Sequence, residues 1–164
     1  MGDNIYITRT GEIEFYSYTP IEDIKAVNNQ VSSIFNNSNG ELVFQVPIQS
    51  FRFKNALMQE HFNENYMETE KYPKAVFKGY IPDWASLTPS DSIDSLIILG
   101  ELNMHGVTKK VECNGVIKFQ NNGIYGESKF DVQLKDYNIQ IPKLMIKNIA
   151  STISIKVKIF LRKK

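Results

Sequence analysis

From Gly123 to Lys135 the residues sort strictly into two sets: Ile124, Gly126, Ser128, Phe130, Val132 and Leu134 on one side, Tyr125, Glu127, Lys129, Asp131, Gln133 and Lys135 on the other. Alternation with period two marks a half-buried strand, because successive side chains of extended backbone point to opposite faces. A helix, at about 3.6 residues per turn, would scatter both sets around its circumference. The C-terminal stretch repeats the pattern, with Ile149, Ser151, Ile153, Ile155, Val157, Ile159 and Leu161 expected inward and Lys156, Lys158 and Arg162 outward. Upstream, Val111, Cys113, Gly115, Ile117 and Phe119 oppose Lys110, Glu112, Asn114 and Lys118.

The breaks between these runs are turn chemistry. Asn121, Asn122 and Gly123 join two strands in a hairpin, since Asn and Gly tolerate positive φ. A second hairpin is expected at His105 and Gly106, linking Leu96 to Met104 with the strand from Val107. Earlier strands are expected over Gly11 to Tyr18, Val31 to Phe35, Glu41 to Phe53 with a bend near Pro47, and Ala75 to Ile81. Two segments read as helical: Pro20 to Asn28 behind a Thr19 N-cap, and Ala56 to Tyr66 with Leu57, Met58, Phe62 and Tyr66 near one face. Trp84 to Ser95, rich in Ser, Asp, Thr and Pro, reads as a surface connection. Several strands exceed the usual length of about 5 to 6 residues, as tilted strands closing into a barrel do. The expected fold is all-β: an antiparallel barrel of about eight strands with one or two short helices.

A chain of 164 residues, 42% hydrophobic and 23% charged, suits one globular domain over residues 1–164. Nineteen basic residues against eighteen acidic ones, a formal charge of +1, supply no field for a phosphate backbone, so nucleic acid is not an expected partner. The basic C-terminal end, Lys156, Lys158, Arg162, Lys163 and Lys164, reads as a solvated strand face. The single cysteine, Cys113, reads as a small core hydrophobe. No run approaches the roughly 18 apolar residues that span a bilayer, and Met1 to Tyr6 lacks the pattern of a signal peptide. The expectation is either an intracellular protein or one whose signal has been removed.

Candidates for chemistry are few. His61 and Glu64, three apart on the expected helix, could share a metal, but such a site needs three or four ligands and Glu60 points elsewhere. No metal and no cofactor is therefore expected. His105 reads as a hydrogen-bonded turn residue. The aromatic and methionine residues Phe44, Phe51, Phe53, Leu57, Met58, Phe62, Tyr66 and Met67 either fill the core or line a cavity, and residue types alone favour filling.

Three stretches bear on this choice: E-H-F-N-E-N-Y-M-E-T-E-K-Y-P-K-A-V-F-K-G at Glu60 to Gly79, G-E-L-N-M-H-G-V-T-K-K-V at Gly100 to Val111, and D-Y-N-I-Q-I-P at Asp136 to Pro142. With G-E-I-E-F at Gly11 to Phe15, their order and spacing resemble the YceI-like family over nearly the whole chain. The resemblance implies a lipocalin-like barrel whose apolar channel takes up polyisoprenoids or other long-chain lipids. It also implies an exported, periplasmic bacterial protein, often a homodimer. Transient membrane contact is a further expectation for a carrier of such lipids. Under this reading the ligand is contacted by Phe15, Phe44, Phe53, Leu57, Met58, Phe62, Met104 and Phe130.

Burying about fifteen methylenes at roughly 0.8 kcal/mol each would contribute on the order of 12 kcal/mol before association and ordering costs, enough for tight binding without a charged contact. A non-enzymatic lipid carrier is the leading expectation. One alternative is a filled barrel acting as a stress-response or protein-interaction module. Another is an enzyme using the cavity, with His61, His105, Glu60 and Glu64 as its acid–base candidates.

Overall fold

The computed structural model describes residues 4–87 and 92–164. Among the described residues, nine strands run in the order β1 (Ile5–Tyr18), β2 (Asp23–Asn36), β3 (Glu41–Pro47), β4 (Arg52–Phe53), β5 (Lys74–Tyr80), β6 (Ser92–Met104), β7 (Val107–Gln120), β8 (Gly123–Gln133) and β9 (Thr152–Lys163). The α-helix α1 (Ala56–His61) continues as a π-helical turn through Tyr66. The strands pair antiparallel in the order β1-β9-β8-β7-β6-β5-β3-β2, and β1 also pairs with β2. That pairing closes the sheet into a barrel. Because β2 pairs with both β3 and β4, these two are halves of one wall strand interrupted at Ile48–Ser50, so the barrel has eight staves.

Closure needs bent strands, and bulges supply the bend. The β1–β2 register shifts around Gly11, and the β1–β9 register shifts between Ile7 and Glu12. Opposite the first shift, the buried Asn28 donates from Nδ2 to the Pro47 carbonyl and accepts from the Gln30 amide through Oδ1. The bulge on β2 is thereby tied to the bend expected, and found, at Pro47.

Pro20 to Asn28 is not helical. Thr19 Oγ1 accepts from the Glu22 amide at 3.0 Å, as an N-cap would, but Thr19 N–H also donates to the Glu22 carbonyl and the chain reverses into β2. The deciding signal is the alternation that follows, with Ile24, Ala26 and Asn28 buried on one face. The hairpin at Asn121 and Asn122 forms without positive φ at either Asn or at Gly123. Space constrains Gly123 instead, since a Cβ there would lie 2.2 Å from the Leu161 carbonyl oxygen. The turn at His105 and Gly106 does use positive φ, 54° and 76°.

Two apolar clusters fill the ends of the barrel. At the end here termed upper, Phe35, Leu42, Ile81, Leu96, Ile124 and Leu161 surround Trp84. Placing Trp84 in a surface connection was incorrect: its ring is buried, meets Phe35 edge-on at 5.3 Å and donates from Nε1 to the Asn37 carbonyl at 2.7 Å. Ser92 to Ser95, assigned to the same connection, belongs to β6, and residues 88–91 lie outside the described residues. At the lower end, α1 and residues 134–151 pack over Phe51, Phe62, Tyr137 and Ile149. Here β9 begins later than its alternation suggests. Ala150 N–H donates to Ser17 Oγ and the Ser151 carbonyl accepts from Leu134 N–H, so Ile149 is buried outside the strand and Ser151 is exposed.

The outer wall carries a ladder of opposite charges. Glu12 and Glu127 both pair with Lys158 across the sheet, and Glu14 pairs with Lys156. The Glu14 carboxyl is held below the usual range by the Tyr16 hydroxyl that donates to it and by Lys25, Lys156 and Lys158, against an opposing effect of burial. Lys156 and Lys158 of β9 thus stand opposite carboxylates on β1, although Lys156 also faces Lys129 on β8.

Replacing Trp84 with alanine is expected to lower unfolding stability by about 3–5 kcal/mol, as for other large aromatic truncations. Trp84→Phe, which keeps an aromatic ring but strands the Asn37 carbonyl, should lower it by about 1–2 kcal/mol. Urea titrations of both variants followed by tyrosine fluorescence and circular dichroism measure the two differences.

Candidate functional site: two apolar cavities in the barrel

The lumen is not filled. An upper cavity of about 120 Å³ and a lower one of about 150 Å³ lie along the barrel. Ile13, Val46, Leu102 and Phe130 line both, so these four side chains form a waist between the chambers. Space in the upper wall comes partly from Gly115 and Gly126, which present no side chain. Beside them, Phe77 lies against the cross-strand pair Gly79 and Gly100, where a Cβ would sit 2.6–2.8 Å from the ring. Any larger residue at those positions would meet that ring and also a strand carbonyl oxygen at 2.5–2.6 Å.

The expected contact residues divide between the chambers. Phe44 lines the upper one; Phe15, Phe53, Met58, Phe62 and Met104 line the lower one; Phe130 stands at the waist. Phe15 and Phe62 each touch the other and both Phe51 and Phe53, with ring centroids 4.9–5.8 Å apart. Leu57 is elsewhere. It does not share the face of Met58, Phe62 and Tyr66, because a helical step of about 100° turns it outward, and it is 60% exposed. Sequence reasoning missed Ile13, Val46 and Leu102, whose isolated aliphatic side chains carry no local sign of meeting across a barrel.

The polar atoms of the upper chamber are few. Ser128 Oγ donates to the Asn114 carbonyl at 2.7 Å. Burial pushes the Cys113 thiol up, an effect partly offset by Ser128. Ser33, 2% exposed, is different: its Oγ has no hydrogen-bond partner, alone among buried side-chain polar atoms of the described residues. It projects from β2 into the chamber wall beside Phe44.

Neither histidine lines these chambers. His105 Nδ1 lies 2.8 Å from the Tyr137 carbonyl and Nε2 lies 2.6 Å from Glu68 Oε2, with the ring edge-on to Tyr72. Through these two contacts the ring staples three lower-end loops together. His61 sits at the barrel mouth, with Nδ1 3.0 Å from Asn65 Oδ1. Glu60 and Glu64 are exposed.

An eight-stranded closed antiparallel barrel with an apolar lumen is a lipocalin-like architecture, a class built to enclose small apolar molecules. The YceI-like domain matches residues 9–161, and the chain belongs to that family. No curated protein matches the sequence. Among solved structures, a polyisoprenoid-binding domain from Saccharophagus degradans, implicated in plant cell wall breakdown, superposes with a TM-score of 0.83 at 14% identity, covering 98% of this chain and 99% of that one. Burkholderia cenocepacia BcnA gives 0.76 at 13% identity over 92% and 95% of the two chains. The Campylobacter jejuni YceI protein gives 0.65 at 15% identity over 84% and 83%. At these identities the likeness is one of fold.

With its thiolate disfavoured and its sulfur facing an apolar chamber, Cys113 should react with iodoacetamide at pH 8 at least about tenfold more slowly than free cysteine. Because burial raises the pKa, the rate should keep climbing with pH above the range where an ordinary thiol has levelled off. Mass-spectrometric timing of alkylation on folded protein measures both.

Proposed function

We propose that this protein is a non-enzymatic carrier or sequestering protein for a long-chain apolar lipid bearing a neutral oxygen, of the isoprenoid or isoprenoid-quinone class. The observation that carries the reading is the pair of apolar chambers meeting end to end at a waist of four side chains. An apolar cavity of about 150 Å³ is dry and holds a molecule the size of benzene. A long chain occupies both chambers, and Phe130 and its waist neighbours change rotamer to join them. Ser33 supports the neutral oxygen: an unpaired buried hydroxyl costs about 1–3 kcal/mol, and a ligand hydroxyl or carbonyl removes that penalty where a hydrocarbon does not. The polyisoprenoid-binding description of the Saccharophagus degradans domain points to the same ligand class. The histidines, one stapling loops and one at the mouth, offer the chambers no general base.

Uptake of fluorescent geranylgeraniol and a long-chain isoprenoid quinone tests the proposal. Wild-type protein should bind both at micromolar concentration or tighter. Phe130→Glu, which places an unpaired charge at the waist, should abolish uptake, while Phe130→Ala should weaken it by less than about tenfold because the ligand can shift into the space. Ser33→Ala should weaken the oxygenated ligands by about three- to tenfold, corresponding to roughly 1 kcal/mol, and leave a pure hydrocarbon of equal length unaffected. Circular dichroism establishes that each variant is folded. Failure of the folded wild type to take up any of these lipids would refute the carrier reading.

A further inference from the structure

The lower mouth of the barrel has an apolar rim. Ile21 in the β1–β2 turn is 60% exposed, Leu57 on α1 60%, and Leu144 and Ile146 in the loop before β9 94% and 57%. These belong to three separate segments, yet they surround one opening. An opening of about 400 Å³ is lined by Glu22, Leu57, Pro142 and Met145, the sequence neighbours or members of the exposed set. Asn148 Nδ2 donates to Glu22 Oε1 at 3.1 Å, tying the loop to the β1–β2 turn. Met58 and Tyr66 line both this opening and the lower chamber, so these two side chains alone are shared between the rim and the lumen wall.

The rim's shape and charge select its partner. Its apolar side chains stand on the tips of separate loops, and Leu144 has almost no contact with its own fold. A fluid bilayer interface accepts protruding side chains without the shape complementarity that a protein partner requires. Lys143 and Lys147 bracket the Leu144-Met145-Ile146 triplet, and Lys54 precedes α1. With the triplet in the acyl boundary, these ammonium groups extend to the phosphates on their flexible stems. Glu22, Asp23 and Glu60 nearby balance those three lysines overall, so apolar insertion supplies the net attraction, with Lys143 and Lys147 acting locally beside the inserting triplet.

We infer that the lower mouth docks on the surface of a phospholipid bilayer, inserting Leu144 and Ile146 with Leu57 and Ile21 beside them, and that cargo passes between membrane and lumen through the opening over Met58. The docking surface stands on its own observations; the passage of cargo rests on the carrier reading above.

Flotation with vesicles of phosphatidylethanolamine and phosphatidylglycerol tests the docking, and transfer of fluorescent geranylgeraniol tests the passage. Wild type should float with the vesicles, and the double substitution Leu144→Asp with Ile146→Asp should lower its partition at least tenfold. Leu57→Asp, on a different element, should lower it in the same direction. Ile34→Ser, on the outer barrel wall, should leave it unchanged. Delivered from vesicles, geranylgeraniol should reach the double variant at least tenfold more slowly than wild type, whereas delivery by dilution from ethanol should load both equally. Equal loading from ethanol also shows that the variant is folded and its lumen intact. If wild type floats but never loads from ethanol, docking stands and the carrier reading falls. Docking is overturned if wild type does not float, or if the double variant floats equally well. It is also overturned if ultracentrifugation shows a wild-type dimer that the double substitution dissolves while vesicle binding is absent, which would make the rim an interface between copies.

Discussion

Closure of the sheet through β1 is the constraint on which everything else depends. β1 is hydrogen-bonded to β2 on one edge and to β9 on the other, so the first strand of the chain bridges the second and the last. Without that pairing the inward residues of eight strands would face water and two long edges would lie open. Closure demands strong local curvature, and the register shifts around Gly11 place it where β1 has both neighbours. Asn28 then fixes the adjacent bulge to Pro47, so one buried amide links the curvature of the first hairpin to the break between β3 and β4.

The barrel so formed is asymmetric. Its upper end is plugged by Trp84, whose indole is held by one carbonyl and two aromatic neighbours. Its lower end is covered only by short elements: α1 and its π turn, and a loop of 3-10 turns. Those pieces are held by side-chain bonds rather than a sheet ladder, among them the His105 staple and the Asn148 and Ser17 contacts. Such elements open more cheaply than paired strands. The proposed cargo passage is accordingly placed at the lower end, where the apolar rim lies.

The strand faces of β7, β8 and β9 were legible because local alternation and global burial agree there. Phe130, Val132, Ile153, Ile155 and Val157 all join the lower core, while Lys129 and Asp131 are exposed. Reading failed where one local signal was trusted against a longer one. Thr19-Pro20 is a sound helix start, yet the alternation of Ile24, Ala26 and Asn28 outweighs it. Trp84 sits among turn-forming residues, and only the fold reveals that its ring reaches back to Phe35 and Phe119. Leu57 is apolar like Met58 and Phe62, but the helical angle between them turns it to solvent.

The sequence by itself determined the pattern of the wall: which residues alternate, where hairpins turn, and that the outer face is charged and nearly neutral. Those properties are local, set by backbone sterics and by the period of side-chain direction. Only the tertiary structure decided that the lumen is two chambers rather than a packed core. Ile13, Val46, Leu102 and Phe130 come from β1, β3, β6 and β8, and their meeting depends on strand tilt and register around the closed barrel. The same closure leaves the Ser33 hydroxyl without a partner and gathers Ile21, Leu57 and Leu144 at one mouth, because distances between separate strands and loops are set by the whole sheet and not by any segment of it.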